Sequence, residues 1–265
     1  MFKKTVICFA ATAILAAASG CCSVCPAVKK KCPQYPKPFG YDTSVTPAPR
    51  VNPKAAVKNG WHLRWDAKRE QIAQYKNDVQ ILFVGDSITH FWDNRGKEVL
   101  DKYFGNYRLL NIGYSGDRTG HTLWMVNSSG LLDNIKPQLV VLMIGTNNIG
   151  HRTASPAAAA AGVEAVVKAL RTKLPESPIL LFGIFPRGAK VSDPYRAQIK
   201  YINDIICKLD DQKNVFYCDI TDKLLEKDGS LSPKIMPDYL HPGKDGYVIW
   251  ADAIMPYVKR LVDKK

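Results

Sequence analysis

The stretch ILFVGDSITHFWD, residues 81–93, runs four apolar side chains into Gly85, Asp86 and Ser87 and then turns polar. Ile81, Leu82, Phe83 and Val84 are continuous rather than alternating, the pattern of a strand buried on both faces. LVVLMIGT (139–146) and PILLFGIF (178–185) repeat it, and YRLLNIGY (107–114) and NVFYCDI (214–220) carry shorter forms. Helical patterns lie between these runs. SPAAAAAGVEAVVKALRTKL (155–174) opens with Ser155 as N-cap and Pro156 at the first helical position. Residues 193–210 and 246–264 are amphipathic at helical spacing, and WHLRWDAKREQIAQYK (61–76) reads as a first helix or helical arm. Strand–helix alternation predicts a parallel sheet with helices on both faces. Ligands of such sheets bind beyond the carboxyl ends of the strands, which is where the 81–93 stretch delivers Ser87.

The flanks set the context. The chain has 265 residues, enough for one sizeable α/β domain. Its formal net charge is +13, but residues 1–58 hold nine Lys/Arg against one acidic residue, leaving only +5 for the rest. No basic stripe interleaved with aromatics follows, so a nucleic-acid partner is not expected. MFKKTVICFAATAILAAASGCC (1–22) has two lysines, a short apolar run and a small-residue end, the grammar of an export signal over residues 1–20. The run is too short to span a bilayer comfortably. AASGC resembles a bacterial lipobox with Cys21 as the lipidated residue, although Ala18 stands where Leu is usual. Cleavage without lipidation would instead release a soluble periplasmic or secreted protein. Residues 21–58 are rich in Pro and Lys and read as a tether, with the folded domain at 59–265. CCSVCPAVKKKC (21–32) has no nearby His and no second paired cluster, so no metal site is expected there. Cys207, within an apolar pattern, reads as a small core residue.

A serine needs a base to take its proton, and the base needs a partner that fixes its tautomer. Of the five histidines, His241 has an acid at an orienting distance in an unusual context: MPDYLHPGKDGY places Asp238 three residues before it, and Pro242 stops any helix there. LLNIGYSGDRTGH adds Gly116, which lacks a Cβ and can bring its N–H close to a ligand. VVLMIGTNNIG adds Asn147. N–H groups of Ser87 and Gly116 with the Asn147 amide would make a three-donor oxyanion hole. Blander readings stand beside these: Ser87 as a helix N-cap, Gly116 as a turn glycine, Asn147 as a cap. His90, His121 and Arg187 are expected in packing or at a substrate rim, and Asp86 and Asp117 in local loop hydrogen bonds.

Four blocks now stand in order: GDSI with Ser87, GYSGD with Gly116, GTNN with Asn147, and DYLHP with Asp238 and His241. Over residues 79–262 the sequence resembles the SGNH (GDSL-type) hydrolase superfamily. Within it, NIGYSGDRTGHTLWMV, NIKPQLVVLMIGTNN and GIFPRGAK look most like the catalytic subunits of platelet-activating factor acetylhydrolase. Two departures are Ile88 for the Leu of GDSL and Asn148 for the Asp common in the third block. The resemblance implies an α/β fold, a three-layer αβα sandwich of flavodoxin-like type with a five-stranded parallel sheet. It also implies ester hydrolysis through an acyl-serine, with Ser87, Asp238 and His241 catalytic and neither metal nor cofactor. The expected substrate is a small-molecule or glycan ester, most plausibly acetyl, met at a cell envelope through an N-terminal lipid anchor. A lipid-active esterase is the alternative, followed by a non-catalytic envelope lipoprotein.

Overall fold

A computed structural model describes residues 43–52 and 60–263. Five strands form the sheet: β1 (Ile81–Gly85), β2 (Leu109–Gly113), β3 (Leu139–Met143), β4 (Ile179–Phe182) and β5 (Val215–Cys218). Every pairing is parallel and the order is β2-β1-β3-β4-β5. All residues of all five strands are buried, as their unbroken apolar character requires of a sheet covered on both faces. The helices are α1 (Gly60–Gln74), α2 (Ser87–His90), α3 (Lys97–Phe104), α4 (Thr119–Ser128), α5 (Thr146–Gly150), α6 (Pro156–Lys173), α7 (Pro194–Ile206), α8 (Thr221–Leu224) and α9 (Lys244–Leu261). The result is the three-layer flavodoxin-like sandwich that the family resemblance implied.

Two apolar cores flank the sheet. One joins β-strand side chains such as Leu82, Val140 and Leu181 to α4, α6 and α7. The other joins Phe83, Val141 and Phe182 to α3 and α9, with Trp92, Tyr247 and Trp250 fully enclosed. Trp250 packs edge-on to Phe185 at 4.9 Å and Phe182 at 5.8 Å. Such aromatic pairs add about 0.5–1.5 kcal/mol each beyond their area. The buried face of α9 (Tyr247, Trp250, Ala251, Ile254, Val258) follows the i, i+3, i+4 spacing that sequence periodicity indicates. Its docking fixes the segment just before it, which carries His241. β2 is an edge strand, and Arg64 of α1 covers it by donating to the carbonyls of Gly113 (2.8 Å) and Asn111 (3.1 Å).

Strand order decides where a ligand can bind. The chain leaves β1 for β2 on one side and returns to β3 on the other, so the switch point lies between the carboxyl ends of β1 and β3. Ser87 follows β1 and Asn147 follows β3.

One expectation needs correction. Residues 43–52 fall within the stretch read as a tether, yet they pack on the domain: Ser44 is buried, Ala48 N–H donates to Gly120 O, and Asn52 O accepts from His62 Nε2 at 2.7 Å. Composition misled there because the contacts are mostly backbone groups meeting side chains of other elements. Cys207 is buried in the core beside α7, as its apolar pattern indicates, and Cys218 is buried in β5. The export signal and Cys21 lie outside the described residues.

Candidate active site

β1 ends at Gly85, and Asp86 caps the short helix that follows, its Oδ1 accepting from Ile88 N at 3.0 Å. The cap is therefore Asp86 and not Ser87. Ser87 becomes the first helical residue, with a backbone N–H that has no intrahelical partner and a hydroxyl free to face the crevice. Burial pushes the Asp86 carboxyl up to about 7, against the opposing pull of the Ile88 N–H and the Arg187 cation.

His241 Nε2 lies 2.9 Å from Ser87 Oγ. Its Nδ1 lies 2.8 Å from Asp238 Oδ2, while Asp238 Oδ1 accepts from the N–H groups of His241 (2.7 Å) and Leu240 (3.2 Å). A carboxylate can only accept, so Nδ1 carries the proton and Nε2 presents its lone pair to the serine hydroxyl. Burial alone would raise the Asp238 pKa, but the backbone N–H and ring of His241, with the Leu240 N–H, outweigh it and hold the group at about 2. The carboxylate is thus charged across any ordinary working range. The turn is tight enough to put Tyr239 in the left-handed region at φ 55°, a local strain of about 1 kcal/mol or more for a residue with a Cβ. Tyr247 Oη donates to Ile88 O at 2.8 Å, which ties α9 to the serine-bearing α2. Sequence reading missed Arg95, whose Nη1 donates to Asp238 Oδ2 at 3.3 Å while its guanidinium lies 4.9 Å over Phe91. Nothing in the sequence couples positions so far apart. Both partners are nearly half exposed, so the pair adds little stability.

Gly116 sits at φ 79°, a conformation that costs glycine nothing, in a turn closed by Asp117 N–H to Tyr114 O at 3.0 Å. Asn147 is buried at the start of α5 and does not cap it; its Nδ2 donates 2.9 Å across to Asp117 O. One amide hydrogen is used there and the second remains for a ligand. The structure thus brings Ser87, Asp238 and His241 into one hydrogen-bonded chain and sets Asn147 on the Gly116 turn. Asn148 explains its own departure from the commoner Asp: its Oδ1 accepts from Thr119 N, while its Nδ2 donates to Ser44 Oγ (2.9 Å) and Thr119 Oγ1 (2.8 Å). A carboxylate could not make those two donations.

The other histidines are differently employed. His90 Nδ1 meets Ser115 Oγ at 2.8 Å, and burial followed by the Arg64 cation pulls its pKa down to about 4. His121 Nδ1 accepts from Arg118 N at 3.1 Å, and burial followed by the Arg118 and Arg50 cations pulls it down to about 4. Both are poor bases. Asp117 is buried, and its Oδ1 lies 3.7 Å from Arg50 Nη1. Arg187 donates weakly to Thr146 O and stacks on Tyr195 at 4.3 Å. Among the described residues no group of three His, Cys, Asp or Glu side chains is placed to hold a metal ion.

Chemically, the arrangement is a nucleophile, a base in the right tautomer and an acid that fixes it, with the Asn147 amide held on the Gly116 turn. Removing one oxyanion donor typically costs about 10²–10³ in kcat. Asn147→Ala is therefore expected to lose that much on a chromogenic acetate ester, with KM nearly unchanged. A loss below about tenfold would take Asn147 out of the oxyanion hole.

Residues 83–249 match the family model for the GDSL-like lipase/acylhydrolase family. The chain is 32% identical over 219 residues to platelet-activating factor acetylhydrolase IB subunit alpha2 of Gallus gallus, covering 82% of this chain and 93% of that protein. The fold matches a GDSL-like lipase from Bacteroides thetaiotaomicron with a TM-score of 0.60 at 18% identity, covering 76% of this chain and 98% of the other. It also matches an acetylxylan esterase from Geobacillus stearothermophilus with a TM-score of 0.53 at 18% identity, covering 69% and 94% respectively.

Proposed function

The chain belongs to the GDSL-like lipase/acylhydrolase family and is an ester hydrolase, and from that premise we propose that it removes short acyl groups, acetyl above all, through an acyl-Ser87 intermediate. The observation that carries this reading is the unbroken chain Ser87 Oγ–His241–Asp238 at the switch point of the sheet.

Ser87 Oγ attacks the acyl carbonyl carbon as its proton passes to His241 Nε2. Asp238 stabilises the imidazolium without taking its proton. The carbonyl oxygen, now negative, rests on the N–H groups of Ser87 and Gly116 and on the free Asn147 amide hydrogen. Collapse breaks the bond to the alcohol, whose oxygen takes the proton from His241. A water then attacks the acyl-serine with His241 again as base, releasing the acid and restoring Ser87.

The alcohol is proposed to be a carbohydrate met at the cell envelope. In this reading residues 1–20 are removed and Cys21 carries the lipid anchor, with the following Pro- and Lys-rich residues spanning outward. The names of the curated relatives favour a second reading, a lipid-like acetyl ester. A series of nitrophenyl esters of increasing acyl length tests the shared claim, with a steep fall beyond short chains expected. Acetylated glycans against acetylated glycerolipids then separate the two alcohols, and mass spectrometry of the mature N-terminus tests Cys21. Equal turnover of long and short acyl esters would refute the short-acyl claim.

A further inference from the structure

The N-terminal segment 43–52 is a strap locked into the domain beside the crevice. A Cβ at Gly120 would come within 2.5 Å of Thr43 O and 2.8 Å of Thr46 O, and one at Gly162 within 2.8 Å of Ser44 O. The strap therefore lies in a groove between α4 and α6 that two glycines open. Thr119 Oγ1 donates to Ser44 O at 2.8 Å, and Asn148 and Gly120 add the bonds described above. Asn52 O, held by His62, pins the far end. Between these anchors stands Arg50. Its guanidinium covers Gly116 so closely that a Cβ there would collide with it.

Arg50 is not alone. Arg118 follows the Gly116 turn by two residues, and Arg187 reaches Thr146 O, one residue before Asn147. All three cations act on the ring of His151, at the end of α5; with burial they depress its pKa. Among the described residues neither Arg118 nor Arg187 has a carboxylate oxygen within ion-pair distance, and Arg50 has only Asp117 Oδ1 at 3.7 Å. Burial raises the pKa of both nearby carboxyls, Asp86 and Asp117, so they offset the cations less than two full charges would. His121 adds a donor. Its Nδ1 accepts from a backbone N–H, so Nε2 carries the proton and faces Arg118 Nη2 at 3.3 Å, donor against donor. An oxygen acceptor placed there would accept from both.

We propose that the alcohol part of the substrate carries an anionic group, a carboxylate or phosphate, beside the scissile ester, and that Arg50, Arg118 and His121 hold it, with Arg187 completing the rim. The proposal rests on the esterase reading and narrows its substrate class. The strap thereby supplies a specificity-determining residue to a site whose chemistry comes from the sheet.

The test uses two matched pairs: an O-acetyl glucuronoside against the O-acetyl glucoside, and acetylglycerol phosphate against acetylglycerol. Charge-assisted hydrogen bonds of this kind predict a kcat/KM preference for the anionic member of at least one pair by about tenfold to a hundredfold. The pair that discriminates identifies the source, an acidic sugar or a phosphate. In Arg118→Gln and in Arg50→Gln/Arg118→Gln that ratio is expected to fall toward one, and inhibition of nitrophenyl acetate hydrolysis by free glucuronate or glycerol phosphate is expected to weaken with it. Arg118→Gln leaves the strap untouched, so it decides the matter if the double variant fails to fold. Equal rates on anionic and neutral esters, or a ratio that Arg118→Gln leaves unchanged, would overturn the proposal. Nitrophenyl acetate turnover with no anionic preference removes the rim and leaves the esterase; no turnover of any ester removes both.

Discussion

Ser87→Ala is expected to lose ester hydrolysis by roughly five to six orders of magnitude in kcat while keeping the fold. The size follows from what the hydroxyl does. It supplies the atom that bonds to the acyl group, and among the described residues no other hydroxyl shares the contact with His241 Nε2 at 2.9 Å. What survives is the contribution of the oxyanion donors and of binding, which alone typically leave about 10³–10⁴ over the uncatalysed rate. Stability should change by only about 1 kcal/mol, because one hydrogen bond is lost and the Asp86 cap of α2 is untouched. Thermal unfolding checks the second half of the expectation and steady-state kinetics the first. If the variant kept more than a few per cent of wild-type turnover, the nucleophile would lie elsewhere.

His241→Ala is expected to be nearly as damaging, roughly four to six orders of magnitude. No neighbouring imidazole can replace it. His90 and His121 are both held near a pKa of about 4, and each is already engaged, His90 with Ser115 and His121 with the Arg118 N–H. The informative measurement is the double variant. Groups that act as a unit are not additive, so Ser87→Ala/His241→Ala should be scarcely slower than either single change. A fully additive loss would mean that the two residues serve separate steps, which contradicts the proton path. His241→Ala keeps the backbone N–H that Asp238 accepts, so the turn should survive and the loss should fall on kcat rather than on folding.

Much of this was legible in the chain. Three of the five apolar runs were continuous and β-rich, burial on both faces leaves such runs few alternatives, and the two shorter runs fell into the same alternation with helices. Strand ends then located Ser87, Gly116 and Asn147 without any long-range information, because a doubly wound sheet collects its loops at one edge. Asp238 and His241 were legible because their partnership is local, three residues within one turn. What was not legible was everything that depends on distant chain segments meeting. The strap at 43–52 has the composition of a linker, and its fit depends on Gly120, Gly162, Thr119 and Asn148 lying where only the folded α4–α6 groove puts them. Arg50 meets Asp117 and Arg95 meets Asp238 only across long stretches of chain, and no periodicity marks either pairing.

The central claim is that Ser87 is acylated in turnover. Labelling with a fluorophosphonate, which traps activated serines, followed by peptide mapping, tests it most directly. The account predicts one adduct per chain on the peptide carrying Ser87, lost activity in proportion to labelling, and no adduct in His241→Ala on the same timescale. Labelling of a different residue in step with inactivation, or full inactivation with Ser87 unmodified, would contradict it.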